Sequence, residues 1–190
     1  MNPKPEEAGR GGAVDANGWL HGVERIPSPN HDPRPAGEII NLLVIHAISL
    51  PPSEFGGTAV AEFFTNRLDP TAHPYFATIA DRRVSAHFFI RRDGHLIQFV
   101  SCLDRAWHAG LSCWQGRERC NDFSLGVELE GDDHSPFATA QYLTLNALIA
   151  TLGARFQLQA CVGHADIAPG RKTDPGPYFE WSRIARLPVE

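Results

Sequence analysis

A nearly continuous apolar run, IINLLVIH, spans Ile39 to His46. A run of that kind without alternation predicts a strand covered on both faces. His46 ends the run, at the position where open α/β sheets place their chemistry, although a satisfied core histidine fits there equally. Strict alternation marks Phe123 to Glu130: Phe123, Leu125, Val127 and Leu129 fall on one face, and Ser124, Gly126, Glu128 and Glu130 on the other. Ser85–Ile90 and Leu96–Val100 flank Arg91-Arg92-Asp93-Gly94, and Asp-Gly between β-formers predicts a hairpin. His87, inside the first of these strands, reads as a core or sheet-face residue. Helical spacing of Tyr142, Leu145, Ile149, Leu152 and Phe156 predicts a helix over Ala138–Phe156 that packs on the sheet. Shorter helices are expected over Ala59–Leu68 and Phe179–Leu187.

Between these elements lie two segments with chemistry in them. Residues 106–124 form a long loop that carries Trp107, His108 and Trp114, which suits a binding loop or a small satellite core. Cys161 to Tyr178 packs His164, Asp166, Lys172 and Asp174 into eleven residues interrupted by Pro169, Gly170, Pro175 and Gly176. That density of glycine and proline predicts a shaped loop with no regular helix or strand. A histidine and an aspartate make two metal ligands, so a third must come from elsewhere in the chain. The strand face bearing Glu128 and Glu130 offers a base, and Gly126 beside them leaves room for something close. Spacing alone does not choose between the two glutamates.

Composition narrows the classes. With 17 Lys and Arg against 22 Asp and Glu, a formal net charge of −5, and no basic stripe, a nucleic-acid surface is excluded. No run approaches the ~18 apolar residues of a membrane span. The polar N-terminus lacks an apolar core of signal-peptide length, which points to a cytoplasmic protein. Residues 1–17 are expected as a flexible tail and residues 18–190 as one domain. Four cysteines without CxxC spacing read as free thiols.

Five blocks, LLVIHAISLPPSEFGG, RVSAHFFIRRDG, RAWHAG, GRERCNDFSLGVELEG and GHADIAPGRKTDPGP, closely resemble the zinc-dependent N-acetylmuramoyl-L-alanine amidases, in particular the cytoplasmic AmpD type. The resemblance runs from Gly18 to about Trp181. It implies an α/β (α+β) fold, a mixed β-sheet flanked by helices, shared with T7-type lysozymes and peptidoglycan-recognition proteins. It implies a Zn2+ ion held by His46, His164 and Asp174, with Glu128 as general base and Lys172 stabilising the oxyanion. It also implies an anhydro-muropeptide substrate bound by a monomer, with Arg83 and Arg119 on its carboxylates and Trp107 and His108 on its sugar side. Ala47 departs from the pattern, since this group commonly has asparagine there, at a place that contacts substrate. Two alternatives stay open at this stage: an amidase acting on intact peptidoglycan, and a non-catalytic recognition module.

Overall fold

The computed structural model describes residues 12–185 and 187. Its strands are β1 (Glu24–Arg25), β2 (His31–Pro33), β3 (Leu42–Ile48), β4 (Phe88–Ile90), β5 (Leu96–Gln98), β6 (Asp104–Ala106), β7 (Cys113–Trp114), β8 (Arg117–Glu118), β9 (Ser124–Glu130) and β10 (Ala160–Gly163). Its α-helices are α1 (Ala59–Phe64), α2 (Pro74–Ala77), α3 (Thr139–Arg155) and α4 (His164–Ile167). Six strands form one mixed sheet in the order β1-β5-β4-β9-β3-β10, while β2 with β6 and β7 with β8 make two small ribbons. β4, β9, β3 and β10 run parallel, and β5 returns antiparallel to β4 through the expected hairpin. The mixed sheet flanked by helices is thus present.

Packing explains the alternation. Leu125, Val127 and Leu129 of β9, with Leu43 and Ile45 of β3, bury against Leu145, Leu148, Ile149 and Leu152 of α3. Each such side chain contributes about 1.5–3 kcal/mol on burial, so α3 is held by its apolar stripe. Gln141 adds direction: it donates to the carbonyls of Ile90 and Glu130 and accepts from the Ala138 N–H. Elsewhere Phe89, Ile97 and Phe99 pack on Val60, Phe63 and Phe64 of α1. Leu42 and Val44 face the opposite way from Leu43 and Ile45, onto Ala109, Phe123 and Ile167. His46 continues that second alternation, so it leaves the sheet on the face away from α3.

Several expected boundaries shift. β3 begins at Leu42 and passes His46 to end at Ile48, because Ile39 is 57% exposed and lies outside the sheet. The segment Cys161–Tyr178 is not all loop, since β10 and the α4 turn occupy its start and the glycines and prolines act only from Pro169 onward. The closing helix is absent among the described residues and shrinks to a 3-10 turn at Trp181–Arg183. Asn146 of α3 accounts for this by donating to the Arg183 carbonyl and accepting the Ala185 N–H, which ties the chain down extended. Over residues 1–11 the expected tail lies outside the described residues; Gly12 and Asp15 are already hydrogen-bonded to His21 and Trp19. All four cysteines are free.

Candidate metal centre

Three side chains converge at the ends of two neighbouring parallel strands. His46 leaves β3, His164 begins α4 directly after β10, and Asp174 arrives on the following loop. His46 Nδ1 lies 2.9 Å from His164 Nδ1 and 3.1 Å from Asp174 Oδ2, and the third side of the triangle, His164 Nδ1 to Asp174 Oδ2, is 3.0 Å. Four ligands placed tetrahedrally 2.0–2.1 Å from a zinc ion lie about 3.3 Å from one another, so the triangle is close to a tetrahedral face. The protons fit as well. His164 Nε2 is 3.1 Å from the Ala109 carbonyl, which only accepts, so a neutral ring presents its lone pair at Nδ1. Burial lowers the His46 pKa to about 4, leaving that ring neutral at physiological pH. Two imidazole lone pairs and a carboxylate oxygen aimed at one another repel unless a cation lies between them. The donor set fits a metal ion.

Glu128 is the register partner of His46 across the β3–β9 ladder. Its Oε2 is shielded from solvent and has no hydrogen-bond partner among the described residues. Burial and the neighbouring Asp174 carboxylate push its pKa well above the usual range, and Lys172 opposes them. Glu130, two residues on, is spoken for: its oxygens accept the backbone N–H groups of Gly56 at 2.5 Å and Arg92 at 2.9 Å. The two glutamates that strand spacing leaves equivalent thus differ in their partners.

A cleft of about 510 Å3 opens over the triangle. Lys172 and Trp107 line it, together with Tyr75, Arg82, Asp132 and Asp133. Two expected substrate contacts fall elsewhere. Arg83 turns back to the carbonyls of Ala80 and Arg82, and it is Arg82 that faces the cleft. Arg119, in a left-handed conformation at φ 62, pairs with Asp122 and borders a separate cavity. His108 lines the floor of the same cleft, largely buried, with Nδ1 2.9 Å from His46 Nε2.

Arg34 escaped the sequence entirely. Its guanidinium donates to the carbonyls of Asn121, Asp122, Ser124 and Cys102, clamping the loop that leads into β9. A lone arginine between prolines carries no local signal of such a role. The placement of Arg82 rather than Arg83 at the cleft is different in kind, since nothing in two adjacent arginines says which one lines it.

A histidine–histidine–carboxylate triangle beside a sequestered carboxylate and a lysine, all on the open face of a mixed sheet, is the layout of a hydrolase built around a metal-holding triad. The family of that hydrolase follows from comparison with known proteins. The chain belongs to the N-acetylmuramoyl-L-alanine amidase family, whose profile matches residues 36–177. It is 56% identical to the 1,6-anhydro-N-acetylmuramyl-L-alanine amidase AmpD of Enterobacter cloacae, over 88% of this chain and 91% of that one. Its structure superposes on the crystal structure of a Se-Met AmpD derivative with a TM-score of 0.88 at 54% identity, covering 90% of this chain and 96% of the other. The amidase AmiD from E. coli, in complex with the substrate anhydro-N-acetylmuramic acid-L-Ala-D-gamma-Glu-L-Lys, matches with a TM-score of 0.56 at 31% identity, over 90% of this chain and 64% of that one. Among the described residues no helix is long and apolar enough to cross a membrane.

Proposed function

We propose that this protein is a zinc-dependent amidase that hydrolyses the amide between the lactyl group of anhydro-N-acetylmuramic acid and L-alanine, in the cytoplasmic recycling of soluble cell-wall fragments. The observation that carries the reading is the triangle of His46 Nδ1, His164 Nδ1 and Asp174 Oδ2 beside the unpartnered Oε2 of Glu128. The substrate class is taken from the relatives, named for that anhydro-muramyl–alanine bond.

His46, His164 and Asp174 would hold the zinc ion, which would supply Lewis acidity toward water and the scissile carbonyl. Glu128 then accepts the attacking water's proton and returns it to the departing amine of L-alanine. Burial, which disfavours its charged form, suits the carrying of a proton, and the Lys172 ammonium opposes that effect. Lys172, on the rim of the cleft, stabilises the oxygen that turns negative as the carbonyl is attacked, a contribution typically worth ~3 kcal/mol. Trp107 and Tyr75 offer aromatic faces to the sugar, and Arg82 takes the substrate-carboxylate role first expected of Arg83.

The test is mass-spectrometric release of tripeptide from anhydro-muramoyl-tripeptide by zinc-loaded protein, beside Asp174→Ala and Glu128→Ala. Both variants are expected to lose hydrolysis, with zinc retained only by Glu128→Ala and its rate down by ~10²–10⁴. Wild-type protein that binds zinc and the fragment without cutting it overturns the proposal. Faster cleavage of intact sacculi than of soluble fragments refutes the recycling role.

A further inference from the structure

The ring of His108 fills the space that Gly126 leaves on the inner face of β9. A methyl group at Gly126 would meet His108 Cγ at 2.5 Å and Cδ2 and Nδ1 at 2.7 Å, so only glycine admits the imidazole there. The Gly126 N–H donates to His87 Nδ1 at 3.0 Å, and His87 in turn backs His108 with ring centroids 5.8 Å apart. Asn121 Oδ1 accepts the N–H groups of His108 and Ala109 at 3.2 and 2.8 Å, pinning the backbone that carries the ring. His108 has one place to be.

Its hydrogen bonds also have one direction. Ser124 Oγ lies 2.5 Å from the Cys120 carbonyl, which can only accept, so the single hydroxyl proton is committed there. Ser124 Oγ must therefore accept from His108 Nε2–H, 3.2 Å away. An imidazole with its one ring proton spent on Ser124 presents a lone pair at Nδ1. That lone pair faces His46 Nε2 at 2.9 Å, which must then bear the His46 proton. His46 is left with a bare Nδ1 turned toward His164 and Asp174.

We propose that His108 is a positioning residue for the metal centre: the relay from His46 through His108 and Ser124 to the Cys120 carbonyl selects the tautomer and ring rotation in which His46 offers Nδ1 to the ion. The proposal rests on the zinc reading above. Ligating histidines usually find a carboxylate, a carbonyl or water behind them. Here a third imidazole, itself outside the ligand set, does that work, and a serine hydroxyl sets its polarity. Without the serine, His108 is free to carry its proton on Nδ1 instead, which sets two donors against each other and drives the His46 proton to the metal side.

The experiment is zinc affinity at pH 7.5 by competition with a chromophoric chelator, for wild type, His108→Phe, His108→Gln and Ser124→Ala, with thermal melts of the metal-free proteins alongside. His108→Phe is expected to weaken zinc binding by ~10–100-fold. His108→Gln keeps an acceptor for His46 Nε2–H and should recover part of the loss. Ser124→Ala should show a smaller loss in the same direction, with a metal-free melt lowered by the two lost hydrogen bonds. Wild-type affinity in both His108→Phe and Ser124→Ala overturns the relay, as does His108→Gln binding no better than His108→Phe. If His108→Phe does not fold, Ser124→Ala alone decides. Wild-type protein that binds no zinc refutes the metal reading itself and is distinguishable from all of these.

Discussion

Replacing Glu130 with alanine removes the acceptor of two backbone N–H groups, those of Gly56 and Arg92, which join the loop before α1 and the β4–β5 hairpin to the end of β9. A donor stripped of its partner costs about 1–3 kcal/mol when buried, and both of these sites are half-buried, so the expected loss is ~2–4 kcal/mol. Glu128→Gln should behave in the opposite way. Glu128 has a shielded oxygen without a partner and a carboxylate disfavoured by burial and by Asp174. A neutral amide of the same shape removes that penalty, and stability should stay within ~1 kcal/mol of wild type or rise. Urea unfolding followed by tryptophan fluorescence on chelated protein measures the first quantity, and tripeptide release by zinc-loaded protein the second. Glu130→Ala is expected to unfold earlier yet turn over within ~tenfold of wild type, while Glu128→Gln keeps its midpoint and loses ~10²–10⁴ in rate. A Glu130→Ala protein as stable as wild type would refute the reasoning. So would a Glu128→Gln protein that still cuts.

Two further outcomes follow from buried groups. Arg34→Leu leaves the carbonyls of Asn121, Asp122, Ser124 and Cys102 without their donor, and denaturation should show a loss of ~3 kcal/mol. An unchanged urea midpoint contradicts that clamp. For pH, burial lowers the pKa of His46 to about 4 and holds His87 and His108 well below their ordinary value. The unfolded chain binds these protons near pH 6.5 and the folded one resists, so stability is intact above ~6.5 and falls on acidification by up to ~1.4 kcal/mol per pH unit per ring. Glu128, with its pKa raised, acts in the opposite sense, and three rings against one carboxyl leave a net loss. Metal-free protein equally stable at pH 7.5 and 5.0 would show that the rings are not held neutral.

What could be read from the sequence is what sheet and helix periodicity enforce locally. The alternation of β9 is clean because one face meets α3 and the other the site, and α3 is found within a residue at each end. The run ending at His46 misleads by three residues at its start, since Ile39 and Ile40 are apolar for reasons other than membership of the strand. His164, Lys172 and Asp174 stand out by crowding. Their partner His46 lies 118 and 128 residues from His164 and Asp174, a pairing that only tertiary structure or likeness to a family reveals. The Glu128–Glu130 choice, Arg82 and Arg34 depend on what each side chain meets across the fold, and no spacing rule contains that.

The placement of His46 opposite Glu128 on β3 and β9 has a bearing on which distances in the site the sheet itself fixes. Both strands have neighbours on each side, and interior strands of this kind exchange their amide protons only through the largest openings of a molecule. Asp174 rides on a loop, outside that rigid frame. The ladder therefore sets the spacing of His46 and Glu128, while Asp174 is set by its own loop, tied to the α4 turn by the Ala165 N–H donating to its carbonyl at 2.9 Å. A substitution in that loop should thus displace one corner of the triangle and leave the other side of the site where the sheet holds it.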